Sequence, residues 1–410
     1  MPQIVPVECI RAPRAVRARA LLAAACALLI GFVAAGPAAA RTPEADKDDP
    51  RADLSAEFSG GFEAVPIAGP FEFPWSLAFL PDGSVLLTER AGRLQLIRPG
   101  RGTREVAGLP PILTAGQAGL FDVALDRRFA RNGIIYLSYV YGTEEKSKVR
   151  VLRARLDRAR VALVDKAVIF ESTPASSLEM YGGRMVVTAD RHLFLALGDR
   201  WEHKRAQDLS NHVGKIVRIR TDGSVPDDNP VVGTPGARPD IWSYGHRNPL
   251  GLALDERKNL LWSHENGPQG GDELNLIVPG RNYGWPVISH GLHYSGEPIP
   301  DGSAREGMEQ PLHAWTPAIA PSGLAIVEGH AGPIFWVGAL AAEALIWLRI
   351  EQNRVASEQR FLEKEIGRIR DVRIGPDGLH YVVTDDAEGW LYRLDPVVEQ
   401  AERGGRRQRF

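Results

Sequence analysis

A loose unit recurs six times in this chain: an alternating apolar stretch, a tight turn, a second such stretch, then a polar loop. Pro74-Trp-Ser-Leu-Ala-Phe-Leu-Pro-Asp-Gly-Ser-Val-Leu-Leu-Thr-Glu-Arg90 is the first, with Ala91-Gly-Arg-Leu-Gln-Leu-Ile97 following it. Later copies begin at Gly119, Gly183, Pro249 and Ser322, and the sixth, Arg370-Asp-Val-Arg-Ile-Gly-Pro-Asp-Gly-Leu-His-Tyr-Val-Val-Thr384, nearly restates the first. Alternation with period two marks half-buried strands, and Pro-Asp-Gly between two of them marks a hairpin. Six hairpins at intervals of roughly 45–75 residues point to radial repetition, in which each unit buries its faces only against its neighbours. The expectation is an all-β, six-bladed β-propeller spanning residues 61–396. Two β-sandwich domains are the competing fold, but no linker divides the chain after residue 60. The ring is expected to close by residues 62–67 pairing with the last blade near residues 391–394.

The ends differ in composition. Arg11, Arg14, Arg17 and Arg19 precede an apolar run and the small residues Pro37-Ala-Ala-Ala40, so residues 1–40 read as a secretory signal peptide. The run is short for a membrane span. Residues 41–60 read as a flexible leader and 397–410 as a flexible tail. Cleavage after Ala40 removes both cysteines, Cys9 and Cys26, so no thiol enters the chemistry. It also removes four arginines and one glutamate, taking the formal charge of −2 to −5. Nothing in that weak acidity suggests nucleic acid as a partner. A periplasmic or secreted protein is expected, with no membrane span after processing, as a monomer or a homodimer.

In a propeller the inner strands converge on a central channel, so polar residues just before those strands gather at one mouth. Gln117, Glu179 to Tyr181, Arg247-Asn248, Trp315, Arg368 and Arg370 occupy such places. Three converging arginines repel one another unless something anionic sits between them. The local alternative pairs each with a nearby acid, Arg370 with Asp371 or Asp377 for example. Downstream of Arg247 lies Gly267-Pro-Gln-Gly-Gly-Asp-Glu-Leu-Asn275, whose carboxylates and turn carbonyls suit a hard cation.

Several stretches carry a resemblance: Gly116-Gln-Ala-Gly-Leu120, Gly182-Gly-Arg184, Ile241-Trp-Ser-Tyr-Gly-His-Arg-Asn-Pro249, Gly267-Pro-Gln-Gly-Gly-Asp-Glu273, Asn282-Tyr-Gly-Trp-Pro286 and Gly367-Arg-Ile-Arg-Asp-Val372. Together they resemble the soluble aldose sugar dehydrogenases of the glucose/sorbosone dehydrogenase family, from about Phe62 to Asp395. The resemblance implies pyrroloquinoline quinone (PQQ) gripped by Gln117, Arg247, Asn248, Arg368 and Arg370; Trp315, by its place before an inner strand, is a candidate to stack on the ring, with a core position as the alternative. It implies a calcium ion on the carbonyls of Gly267 and Pro268, and a second, structural calcium near Glu273 and Tyr283. The implied reaction passes hydride from C1 of an aldose to the quinone and yields the lactone; the electron acceptor beyond it is not implied. The family's base is a histidine directly before the aromatic-Gly-Gly-Arg run, and here that residue is Met180, which cannot accept a proton. Glu179 is the substitute base offered by adjacency, though neighbours on an extended strand face opposite sides. A propeller that binds PQQ or a sugar without catalysis is the alternative function. A calcium-dependent lactonase is a third, which the arginine-rich mouth argues against. Histidines 212, 246 and 264 read as structural or supporting.

Overall fold

The computed structural model describes residues 60–299, 301–329 and 332–397. The expected signal peptide, all of the leader except Gly60, and all of the tail except Val397 lie outside them. Six four-stranded antiparallel sheets form the described part, five of them hydrogen-bonded in sequence order from an inner strand outward and the sixth completed by the first strand of the chain. The inner strands are Pro74–Phe79, Leu120–Leu125, Gly182–Val187, Pro249–Asp255, Pro321–Glu328 and Ile369–Ile374, and each touches the next around the ring. The protein is a six-bladed β-propeller.

Each blade has two apolar faces, and burying them fills the seams between blades. Six hydrophobic clusters occupy the six seams. Trp262 of the fourth blade meets Phe335 of the fifth edge-on at 5.0 Å, and Phe62 meets Trp336 at 5.6 Å in the next seam. Burying one such ring contributes roughly 2–3 kcal/mol, so the ring of seams supplies most of the driving force for the fold. Closure is as expected: Gly61–Phe71 is the outermost strand of the sixth blade, pairing Ala64 with Leu394 and Ala68 with Leu391. What the hairpin count left out were outer strands, which are more exposed and less regularly apolar, such as Gly102–Glu105 and Arg354–Phe361.

The channel is stopped by charge. Arg184 Nη1 lies 3.3 Å from Asp122 and 3.2 Å from Asp371, while Arg373 reaches the same two carboxylates at 3.3 and 3.0 Å. Ser76 Oγ donates to Asp122 at 2.6 Å, and Arg184 Nε donates to the carbonyl of Leu250. This network ties five blades across the axis and has two cations for two anions.

Candidate active site

An inner strand leaves the mouth and its hairpin partner returns to it, so each blade offers the mouth two kinds of position: the start of strand one and the end of strand two. Register makes this explicit, with Pro249 opposite Glu265 and Ile369 opposite Thr384. Gln117, Asn248, Arg368 and Arg370 line a single cavity of about 180 Å³. Arg90 and Asp385 line it too; they stand at ends of second strands, which is why a search of inner-strand starts passes over them. Trp75, Phe121 and Tyr181 provide its aromatic wall, held by cations behind two of them: the Arg184 guanidinium lies 4.3 Å from the Trp75 ring and that of Arg200 lies 3.7 Å from Tyr181.

Charge in this cavity is unbalanced. Arg368 and Arg370 both pair with Asp385, each at 2.9 Å, and not with Asp371 or Asp377. Asp371 is committed to the channel network. Burial would raise the Asp385 carboxyl, but Arg370 and Arg368 outweigh it and hold it below the ordinary value. Burial also lowers the Arg370 guanidinium. One carboxylate thus faces three guanidiniums, leaving a site for a polyanion.

Close packing fixes the backbone here. Gly183 has φ of +105°, and a Cβ on it would meet the Phe121 ring at 2.6 Å. A Cβ on Gly198 would lie 2.1 Å from the Met180 carbonyl and 2.9 Å from Asn248 Oδ1, so only glycine permits the approach. Met180 itself is buried with φ of +54°, its N–H donating to Gln117 Oε1 at 3.0 Å. Glu179 is exposed and does not line the cavity; its Oε2 accepts the Trp201 indole N–H at 2.7 Å.

Arg247 is nearly inaccessible and borders a neighbouring cavity. Its Nη1 donates to the carbonyls of Asn266 (2.9 Å) and Gly267 (2.5 Å), and Nη2 to Tyr294 at 3.1 Å; its buried Nε has no partner among the described residues. That second cavity, about 10 Å³, is lined by Gly267, Pro268, Glu265, Glu273 and Tyr283. Glu265 and Glu273 face each other across two strands. Desolvation, then the Glu265 charge, pushes the Glu273 carboxyl up to about 8. Two facing acids beside turn carbonyls form a donor set for a hard cation of one-atom size. Among the described residues no group of three or more His, Cys, Asp and Glu gathers, so backbone oxygens have to complete any such site. Asp272 is taken up in fixing the turn, accepting N–H groups from Gly267, Ile319 and Ala320. The Tyr283 hydroxyl donates to the Leu276 carbonyl.

Trp315 departs from expectation. It is the last residue of an outer strand, its ring packed in the seam between the fourth and fifth blades with Nε1 on Glu358, because a residue before an inner strand in sequence need not precede it in space. His246 is fully buried between Ser243 and Glu265, His212 holds Thr173 and Asp240, and His264 bonds Gly323 with burial lowering its pKa to about 4. All three are structural.

Residues 71–393 match the model of the family described as Glucose / Sorbosone dehydrogenase. The chain belongs to this family. It is 40% identical over 335 residues to the aldose sugar dehydrogenase YliI of Escherichia coli (strain K12), covering 79% of this chain and 90% of that one. A crystal structure of the soluble E. coli aldose sugar dehydrogenase in apo form superposes with a TM-score of 0.79 at 38% identity, covering 82% of this chain and all of the other. A PQQ-bound aldose sugar dehydrogenase from Streptomyces coelicolor does so at 0.69 and 27% identity, covering 83% and 99%. Membership places this chain among the sugar dehydrogenases built on the six-bladed propeller.

Proposed function

We propose that this glucose/sorbosone dehydrogenase family member is a PQQ- and calcium-dependent oxidoreductase of the periplasm or extracellular space that oxidises an aldose at C1 to the lactone. The observation that carries the reading is the charge count of the 180 Å³ cavity, with Arg90, Arg368 and Arg370 against Asp385 alone. A tricarboxylate fits that deficit, and the aromatic wall of Trp75, Phe121 and Tyr181 offers apolar ring surface to a flat ring system. Supporting calcium are the Gly267 and Pro268 turn beside Glu265 and Glu273, where a divalent cation would offset the desolvation and the Glu265 repulsion that together raise Glu273.

A bound quinone would supply the hydride acceptor and a cation the polarising charge. Arg368, Arg370, Gln117 and Asn248 would hold and orient the quinone. Arg247 sets the position of the Gly267 carbonyl, whose second lone pair stays available to a cation. The neighbouring Trp201, Trp285 and Tyr294 rings, all within 6 Å of the Arg247 guanidinium carbon, form an amphipathic face for a sugar.

One observation favours a second reading, a propeller that binds quinone without turning over: Met180 stands where the family has its base. The deciding experiment adds PQQ and calcium to purified protein and follows quinone absorbance and dye reduction with a panel of aldoses. Binding with dye reduction is expected. Binding alone would favour the second reading, and no binding would sink both.

A further inference from the structure

We infer that His203, oriented by Asp199, takes the proton from the sugar's C1 hydroxyl; this rests on the quinone-dependent reading above. Asp199 follows Gly198 at the end of the second strand of the third blade and has no exposed surface. Its backbone N–H donates to the Arg247 carbonyl at 2.7 Å, which fixes it to the residue that sets the Gly267 turn. The carboxylate receives the Trp201 backbone N–H on Oδ1 at 3.0 Å and the Trp285 indole N–H on Oδ2 at 2.7 Å. His203 Nδ1 meets the same Oδ2. A carboxylate already receiving two N–H groups selects the tautomer with hydrogen on Nδ1, which puts the lone pair on Nε2. Nε2 has no hydrogen bond among the described residues, and about a third of the side chain, 31%, is exposed.

The ring lies against the indoles that flank Arg247, one of which, Trp285, lines the smaller cavity beside the Gly267 turn. The imidazole centroid is 5.0 Å from that of Trp285 and 5.5 Å from that of Trp201, and the Arg247 guanidinium carbon lies 5.3 and 5.9 Å from the same two rings. Imidazole and guanidinium therefore share one pair of indoles. His246 and His212, by contrast, use both ring nitrogens inside the protein. The pair His192–Asp190 has similar chemistry, but its aspartate is 71% exposed and it borders an outer groove away from the mouth. Met180 offers no lone pair for a proton, and Glu179 is engaged by Trp201.

Proton and electrons balance as follows. The hydroxyl proton goes to Nε2, the O–H pair becomes the second bond of the lactone carbonyl, and C1–H leaves with its pair as hydride to the bound quinone. The resulting imidazolium lies against the Asp199 carboxylate. The other charged groups around it are Glu202, paired with Arg205, Lys204 next in sequence, Arg247 beyond the indoles and Glu179 on Trp201.

His203→Gln in the protein loaded with PQQ and calcium is expected to lower kcat by roughly 10²–10⁴-fold, to leave quinone affinity within threefold, and to abolish the acid limb of the kcat–pH profile. Met180→His added to that variant is expected to raise kcat at least tenfold, since histidine tolerates the left-handed backbone there. Independently of activity, ¹⁵N NMR of the cofactor-free wild-type protein should show an Nδ1–H tautomer for His203, assigned by the loss of that signal alone in a His203→Gln variant that keeps the other histidine signals. His192→Gln is the control and should keep the wild-type rate; an equal loss there overturns the assignment. So does a His203→Gln kcat within threefold of wild type with quinone bound, or an Nε2–H tautomer. A wild-type protein that oxidises aldoses while His203→Gln keeps its rate overturns the base assignment alone, whereas quinone binding without aldose oxidation, or no quinone binding, overturns the dehydrogenase reading with it.

Discussion

Two arginine pairs sit along the same axis and differ in one respect. Arg184 and Arg373 face Asp122 and Asp371, two charges against two, with hydrogen bonds from Ser76 and from the backbone N–H groups of Leu77 and Met185 added to the carboxylates. Arg368 and Arg370 share Asp385 alone, with Arg90 lining the same cavity. The first set is complete without a ligand and locks five blades together. The second is incomplete, and its surplus positive charge at a concave mouth is what an anionic cofactor would satisfy. Charge stoichiometry, more than the presence of arginine, separates a structural plug from a binding site.

Asp371→Ala should produce the largest effect, because it leaves Arg184 buried and half-paired; a loss of about 3–5 kcal/mol is expected in denaturant unfolding. A loss below 1 kcal/mol would mean that the plug is dispensable and the contrast false. Arg370→Ala should do the opposite, costing about 1 kcal/mol in stability while weakening PQQ binding roughly 10–100-fold in an absorbance titration, the magnitude of one charge-assisted hydrogen bond. Equal stability losses in the two variants would erase the distinction. The smallest effect concerns pH. Asp385 has a folded-state pKa depressed below 3.8, so its contribution to stability is present above the unfolded value and disappears as pH falls through the lower folded one. Asp385→Asn should flatten that acid segment of the unfolding profile and leave the curve above pH 5 parallel to wild type; an unchanged acid segment would detach Asp385 from its arginines.

Fold and site were not equally legible. Apolar alternation and Pro-Asp-Gly turns are local signals, and six repetitions of them suffice for the blades; the pairing of residues 62–67 with 391–394 followed because an open ring would leave one seam exposed. The cavity-lining residues Gln117, Asn248, Arg368 and Arg370 were legible as polar punctuation before inner strands. Arg90, Asp385 and Asp199 were less so, since they belong to the returning strand, and only the antiparallel register brings them to the same mouth. Trp315 was misplaced for the converse reason: its sequence position is near an inner strand and its spatial position is in a seam.

By itself, then, the sequence determined the repeating unit, the number of blades and the polar residues available, because strand periodicity and turn chemistry act over a few residues. Which charges cancel was decided by tertiary structure. Arg184 and Asp371 are far apart in the chain and meet at 3.2 Å only because the ring closes. Asp199 reaches His203 locally, four residues along the chain, but it is the packing of the third blade on the fourth that ties Asp199 to the Arg247 backbone and so makes a histidine in a short helical turn the candidate base that Met180 cannot be.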